Sequence, residues 1–252
     1  MKLRVLTYNI HRAIGIDRRF RPERIVEILR HHDPDIALLQ EVDDGAPRSR
    51  ELDLAWELAE AAGFAYYAVG HNVSLRKGRY GNATLSRYPI LRERNIDLTD
   101  GTKKRRGCQH TQIALPSETG KSHTLDVFNL HLGLSSRERE RQVGLLVRSK
   151  EFQLVDREAP CLVGGDFNDW RARVRPIFTE GLFYRCATDL KSGDRSIRTY
   201  PAFSPTGGLD KIFFRGPIRL EAARTCRLRI SRVASDHLPV IVDFEIHELT
   251  ER

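Results

Sequence analysis

CLVGGDFNDW, residues 161–170, decides how the chain reads: a short apolar run stops at Gly164-Gly165 and then releases Asp166, Asn168 and Asp169. Aliphatic residues closing on paired glycines read as a buried strand entering a turn, because glycine accepts positive φ and lets a second backbone come close. If the backbone stays extended from Asp166 to Asn168, both side chains lie on one side of the strand. Two readings of the polar residues stay open at this point: an Asx-rich turn capping a helix that begins near Asp169, or one wall of a functional site. An EF-hand is excluded, since Trp170 and Arg171 stand where that loop requires a ligand and a glycine.

Working outward, HTLDVFNLHL (123–132) alternates as a strand, with Leu125, Val127 and Leu130 assigned to one side and His131 at its end. Ser135 or Ser136 then caps a helix predicted to run unbroken through SRERERQVGLLVRSKEFQLV to residue 155, with Val143, Leu146 and Val147 on its buried stripe. Beyond the decapeptide, Arg173 to Leu190 is helix-like or irregular. TYPAF (199–203) and LDKIFF (209–214) read as strands around a Ser-Pro-Thr-Gly-Gly turn, Asp210 lying just inside the second. A further strand precedes Arg232, and SDHLPVIVDFEI (235–246) opens with Asp236-His237 before turning strongly apolar.

The N-terminal half repeats the theme of apolar strands that finish in polar residues. LRVLTYNI (3–10) leaves Asn9 near a strand end, and Pro22 opens a helix over RPERIVEILRHH that stops before Asp33-Pro34. IALLQEV (36–42) is a buried strand finishing at Glu41. Glu51 to Ala62 is a helix stopped by Gly63, and FAYYAV (64–69) is a strand. SLRKGRYGN (74–82), carrying Arg76, Lys77 and Arg79, is a charged approach to the strand ATLSRYPI, which places Asn82 at a strand edge. Lys103 to Arg106 is the densest basic run, and CQHTQIALP (108–116) follows it as a strand.

Composition narrows the class. With 40% apolar and 30% charged residues the chain reads as globular, and no stretch approaches the roughly 18 apolar residues of a membrane span, so no integral membrane association is expected. MKLRVLTYNIH lacks the long apolar core of a signal peptide, making cytoplasmic the default compartment. Cys108, Cys161, Cys186 and Cys226 show no CxxC pairing, which argues for reduced thiols and against a zinc site or a disulfide framework. A net charge of +8 favours an anionic partner: nucleic acid, a phosphorylated metabolite or a lipid headgroup surface. No repeat or linker-like stretch divides the chain, so one domain over 1–252 is expected, with no obligate protein partner indicated.

Asn9, Glu41, Asn82, His131, Asp166, Asn168, Asp210, Asp236 and His237 form a chemically coherent set at expected strand edges. Strands packed side by side would gather such edges in one crevice. Carboxylate and amide oxygens suit a hard divalent ion, so Mg2+, with Mn2+ as substitute, fits better than zinc.

Seven segments in this order, TYNIH (7–11), LLQEV (38–42), GNATLSRYPI (81–90), NLHL (129–132), GGDFND (164–169), LDKIFF (209–214) and SDHLPV (235–240), resemble the endonuclease/exonuclease/phosphatase superfamily over almost the whole chain. The resemblance implies a DNase I-like α/β fold: a four-layer α/β/β/α sandwich of two packed, mostly antiparallel sheets. It further implies Glu41 as the principal Mg2+ ligand, with Asn9 and Asp236 close to the metal and Asp166 and Asn168 across the scissile phosphate. His237 would act with Asp210 behind it, and Asn82 and His131 would serve phosphate binding or leaving-group protonation. Arg106, at the end of the basic run, is a further phosphate-binding candidate.

The expected activity is hydrolysis of a phosphate ester by in-line attack of an activated water, with charge neutralised on the non-bridging oxygens. An imidazole oriented by a carboxylate is a competent base, and so is Asp166; the sequence leaves the choice between Asp166 and His237 open. The basic balance points to a phosphodiesterase or nuclease, with DNA and RNA among the substrates. NLHLG replaces the tyrosine and the proline-asparagine loop usual in AP endonucleases, which argues against dedicated abasic-site repair. Alternatives are a sphingomyelinase-like enzyme acting on phospholipid headgroups, an inositol-phosphate phosphatase, and an inactive nucleic-acid-binding module.

Overall fold

The computed structural model describes residues 1–116, 123–189 and 196–247; Leu190, the last residue of the irregular stretch expected from the sequence, lies outside them. One six-stranded sheet contains β1 (Lys2–Asn9), β2 (Ile36–Asp44), β3 (Tyr66–Ser74), β4 (Arg79–Ser86), β11 (Ile218–Thr225) and β12 (Val240–Ile246), in the order β11-β12-β1-β2-β4-β3. The other contains β5 (Ile90–Asp97), β6 (Gly107–Leu115), β7 (His123–His131), β8 (Cys161–Asp166), β9 (Arg185–Cys186) and β10 (Asp210–Arg215), in the order β5-β6-β7-β8-β10-β9. Each sheet is antiparallel except at its centre, where β1 runs parallel to β2 and β7 parallel to β8. A parallel pair needs a crossover, and helices supply both: α1 (Pro22–His32) after β1, and α3 (Ser136–Arg148) with α4 (Lys150–Gln153) after β7.

Alternation along the central strands builds the layers. Val5, Ile36 and Leu38 meet Val127, Leu162 and Ile212 between the sheets. Their neighbours Leu6, Ala37 and Leu39 face outward onto Ile25 and Leu29 of α1 and Leu58 of α2 (Leu54–Ala62). On the opposite outside, Phe128, Val163 and Phe213 pack under Val143, Leu146 and Phe152. Strands buried on both faces explain why the central segments read as apolar runs. The result is the expected α/β/β/α sandwich.

Several local expectations are corrected. Leu130 does not share a face with Leu125 and Val127; it joins Phe128 under the helices, as a period of two demands for an even-numbered residue. The helix expected to residue 155 breaks at Ser149, whose extended backbone (ψ 147°) lets its hydroxyl accept from Phe152 N–H and restart the chain as α4. TYPAF is no strand: Tyr200 makes only an isolated bridge to Gly207, and Pro201, with no N–H, cannot extend a ladder. Asn82 lies in the middle of β4, since Arg79 and Tyr80 already pair with Asp44 and Asp43. No helix opens at Asp169, and β8 ends at Asp166 because Asn168 turns left-handed (φ 50°), which removes the extended geometry assumed for the two side chains.

The paired glycines answer to two different surfaces. A Cβ on Gly164 would lie 2.7 Å from Leu38 Cδ1 in the inter-sheet core, and one on Gly165 (φ 138°) would lie 1.9 Å from the Leu130 carbonyl oxygen. The latter is backbone and has no room to give, so Gly165→Ala is expected to cost more than about 3 kcal/mol. Urea denaturation of that variant, with wild-type midpoint and slope as reference, is the check.

Candidate active site

Asp166 closes β8 with His131 of β7 on one side and Asp210 of β10 on the other, both directly opposite it in register. Three polar side chains therefore arrive at one edge of one sheet. The other sheet contributes Asn9 at the end of β1: its Nδ2 donates to Asp166 Oδ2 at 3.0 Å, while its Oδ1 accepts from His11 N–H at 3.1 Å. Asp166 Oδ1 in turn accepts from Asn168 N–H at 2.9 Å, so the Asx turn envisaged from sequence is present and also holds the carboxylate. Asn168 Nδ2 donates to the Leu132 carbonyl at 2.9 Å, fastening this turn to the end of β7.

His237 enters from the loop before β12. Its Nδ1 lies 2.9 Å from Asp210 Oδ2 and its Nε2 lies 3.7 Å from Asp166 Oδ2; His131 Nε2 approaches the same Asp166 oxygen at 3.4 Å. Ser235, whose role the sequence did not reveal although it begins the SDH motif, fixes this loop. Its hydroxyl donates to the Asn9 carbonyl at 2.7 Å and is placed 3.3 Å from Asp236 Oδ1.

These buried groups hold different protonation states. Burial alone would depress His237, but Asp210 and Asp166 outweigh it and raise the imidazole to about 10. For His131 burial is again the largest influence, and Arg106, His237 and Lys104 add to it, so the ring stays neutral well below the ordinary histidine range. Burial lifts Asp166 to about 6, against the pull of His237 and the hydrogen bonds from Asn9 and Asn168. An imidazolium, a neutral imidazole and a carboxylate thus share one small volume.

Glu41 forms the second part of the site. It sits within β2, not at its end, on a bulge where the pairing with β4 slips between Leu39 and Val42, and its φ is +59°. Its Oε2 is buried without a hydrogen-bond partner, 3.5 Å from Arg12 Nη1. Burial and the charge of Glu41 keep the neighbouring Tyr80 hydroxyl protonated, and Lys104 lies 5.3 Å above the Tyr80 ring. Arg12 and Tyr80 escaped the sequence reading because nothing in their local pattern distinguishes them from loop and strand residues, whereas Lys104 belongs to the basic run noted there.

A buried carboxylate oxygen with no hydrogen bond and only a 3.5 Å ion pair to Arg12 has capacity left for a hard cation, so Glu41 fits the divalent metal implied by the resemblance. A second possibility lies deeper: Asp166, Asp210 and His237 each offer a ligand atom, all within 4.8 Å of one another, and Asp210 Oδ1 also lacks a partner. Asp236, half-buried, is held near His237 and has no hydrogen bond or ion pair to Glu41 among the described residues. Arg106 is buried, and its charge reaches His131. Asn82 donates its Nδ2 to the carbonyls of Gly107 and Asn129, both at 3.1 Å, which commits that nitrogen to joining the sheets. Asp169 faces away from this cluster, accepting from Val174 N–H at 2.7 Å and lying 3.5 Å from Arg139.

The profile of the Endonuclease/Exonuclease/phosphatase family matches residues 6–237, and the chain belongs to that family, whose members hydrolyse phosphate esters. YbhP of Escherichia coli strain K12 is 33% identical over 253 residues, covering 97% of this chain and 96% of that protein. Among solved structures, an endonuclease/exonuclease/phosphatase from Beutenbergia cavernae superposes with a TM-score of 0.76 at 22% identity, over 97% of this chain and 72% of that one. A mannosyl-6-phosphatase from Bacteroides thetaiotaomicron gives 0.73 at 20% identity, over 97% and 100%. At these identities the structural likeness speaks to the fold. Among the described residues no helix is long and apolar enough to cross a membrane.

The paired imidazoles provide a direct check. In the metal-free protein, 15N-imidazole NMR is expected to show His237 keeping its second proton until about pH 10 and His131 remaining neutral through the neutral range. Because the folded value of His237 is raised, its contribution to stability is complete below the unfolded value of about 6.5 and is lost as pH climbs through the folded one. Asp210→Asn should bring the His237 transition down; an unmoved transition would remove Asp210 as its cause.

Proposed function

We propose that this chain is a divalent-metal-dependent phosphodiesterase, with nucleic acid as the leading substrate class, that cleaves its ester by in-line attack of water. The observation that carries this reading is the buried chain Asp210–His237–Asp166–Asn9, in which groups from both sheets converge on one carboxylate. In-line hydrolysis needs a proton acceptor for the water, positive charge around the phosphoryl oxygens and fixed geometry. Asp166 suits the first task. Its acidity near neutrality leaves it ionised yet basic enough to take the proton, and Asn9 and Asn168 fix its orientation.

His237, already protonated, is unsuited as the base. Oriented by Asp210, it supplies positive charge and an N–H toward the phosphoryl group instead. Neutral His131 donates a hydrogen bond without carrying the proton for the leaving group, and Arg106 adds charge beside it. Asn82 contributes less as a phosphate ligand than as a brace that keeps the sheets in register. Glu41, with Asn9 and Asp236 nearby in the family pattern, would hold Mg2+ or Mn2+, which supplies charge neutralisation on the phosphate oxygens when bound. The net charge of +8 agrees with a polyanionic substrate.

The test is a hydrolysis panel of supercoiled DNA, RNA, sphingomyelin, inositol phosphates and bis-p-nitrophenyl phosphate, each with Mg2+, with Mn2+ and with EDTA. Metal-dependent cleavage of a diester is expected, and no cleavage of any member would sink the enzyme reading. Glu41→Ala is expected to weaken Mg2+ binding and turnover together. His237→Ala should leave calorimetric Mg2+ affinity nearly intact while lowering kcat by about 10²–10⁴. Unchanged metal affinity in the Glu41 variant would move the ion elsewhere.

A further inference from the structure

Beside the cluster, on the far side of Tyr200, lies a cavity of about 450 Å3 whose walls come from the loop after β8 and from residues 196–211. It has room for a phosphate group and several waters, each of which needs about 30 Å3. Its floor holds Lys211, only 1% exposed, whose ammonium has a single neutral hydrogen-bond partner, Ser196 Oγ at 2.7 Å, and no carboxylate within ion-pair distance among the described residues. Arg171 and Arg198 stand exposed at its rim and likewise form no ion pair among the described residues.

The acids of the cavity do not cancel these charges. Asp189 is engaged by Arg175 at 2.6 Å and reaches Lys211 only through the Ser196 hydroxyl, which donates to it at 3.3 Å, while Asp169 lies 3.5 Å from Arg139. A buried ammonium without a carboxylate is costly, and an anion in the cavity would offset that cost. A pair of aromatic contacts links the cavity wall to the reacting centre. Trp170, 55% exposed, packs over Gly207, where a Cβ would lie 2.8 Å from its ring, and meets Tyr200 edge-on at 5.6 Å between centroids. Tyr200 in turn lies 4.9 Å from the His237 ring. Two aromatic rings thus stand between the catalytic cluster and the cationic cavity, and the exposed Trp170 offers a surface on which a base can stack.

We infer that this cavity is a subsite for a second phosphate-like group, so that the preferred substrate is a phosphoester carrying another phosphate beyond the one that is cleaved. The substrate half of this inference rests on the hydrolase reading above; the anion-binding half does not. The latter is tested first, in EDTA. Trp56→Phe, on α2, leaves Trp170 as the sole tryptophan of the two in the chain, and its emission is titrated with inorganic phosphate. A saturable change is expected, with a dissociation constant raised about tenfold or more when Arg171→Ala and Arg198→Ala are added, as loss of about 1.4 kcal/mol requires. No saturable change, or the same constant in both proteins, would overturn the site.

The substrate half is read from kinetics with two esters, thymidine 5′-phosphate p-nitrophenyl ester and its 3′-phosphorylated counterpart. The wild-type enzyme is expected to show a lower KM for the second ester, and the Arg171/Arg198 double variant to lose that difference. A preference that survives the double substitution, or that the wild type lacks, overturns the subsite as a specificity element. If neither ester is cut while phosphate still binds Trp170's cavity, the hydrolase reading and the substrate half fail together, separately from the anion site.

Discussion

The hydrogen bond from Asn9 to Asp166 joins the two sheets at the point where chemistry is expected, and the rest of the site is meaningful only while that join holds. Below it the interface is not a uniform greasy layer. Gln40 Nε2 donates to Asn129 Oδ1 at 2.8 Å, Asn129 Nδ2 reaches the carbonyls of Leu39 and Ala83, and Thr84 donates to Gln109 at 2.8 Å. Aliphatic faces alone tolerate sliding, whereas buried amides have full hydrogen bonding in one register only. Further from the site the same interface turns apolar, with Leu3, Leu125, Ile212 and Phe244 among its members. Adhesion comes from one end of the interface and alignment from the other.

That alignment makes the electrostatics possible. A carboxylate between two histidines would ordinarily invite both to protonate, yet only His237 does, because Asp210 stands behind it while Arg106 and Lys104 stand near His131. Each imidazole owes its state to residues from other strands or loops. Displacement of one sheet by a single residue would exchange these neighbours and erase the difference.

The layers of the fold were legible because every central strand is apolar on both faces and the seven motif segments occur in order. The candidate site was legible where a polar side chain closes a strand, as Asn9, His131 and Asp166 do. Legibility failed where the deciding interaction is nonlocal or lies in backbone angles. Asn129 and Gln40 sat inside quoted motifs without announcing that they face each other across the sheets. Arg12 and Tyr80 are ordinary residues until the fold delivers them to Glu41. Lys211 follows Asp210 in a strand, and only the packing reveals a buried charge there. Ser149 and Pro201 broke expected elements through a side-chain cap and a missing donor, effects that periodicity does not register.

The bulge at Glu41 has a counterpart in the numbering of β2. Before it, Ala37 and Leu39 face the outer helices; after it the outward residue is Val42, so odd and even positions exchange roles within three residues. Remove one residue there and the strand becomes an uninterrupted ladder with every apolar side chain still facing its own layer. The fold therefore has no need of the extra residue, and its left-handed backbone works against stability. What it provides is a carboxylate out of step with the sheet. Shortening β2 by one position would consequently withdraw that carboxylate and relieve the left-handed backbone while leaving the layers in place.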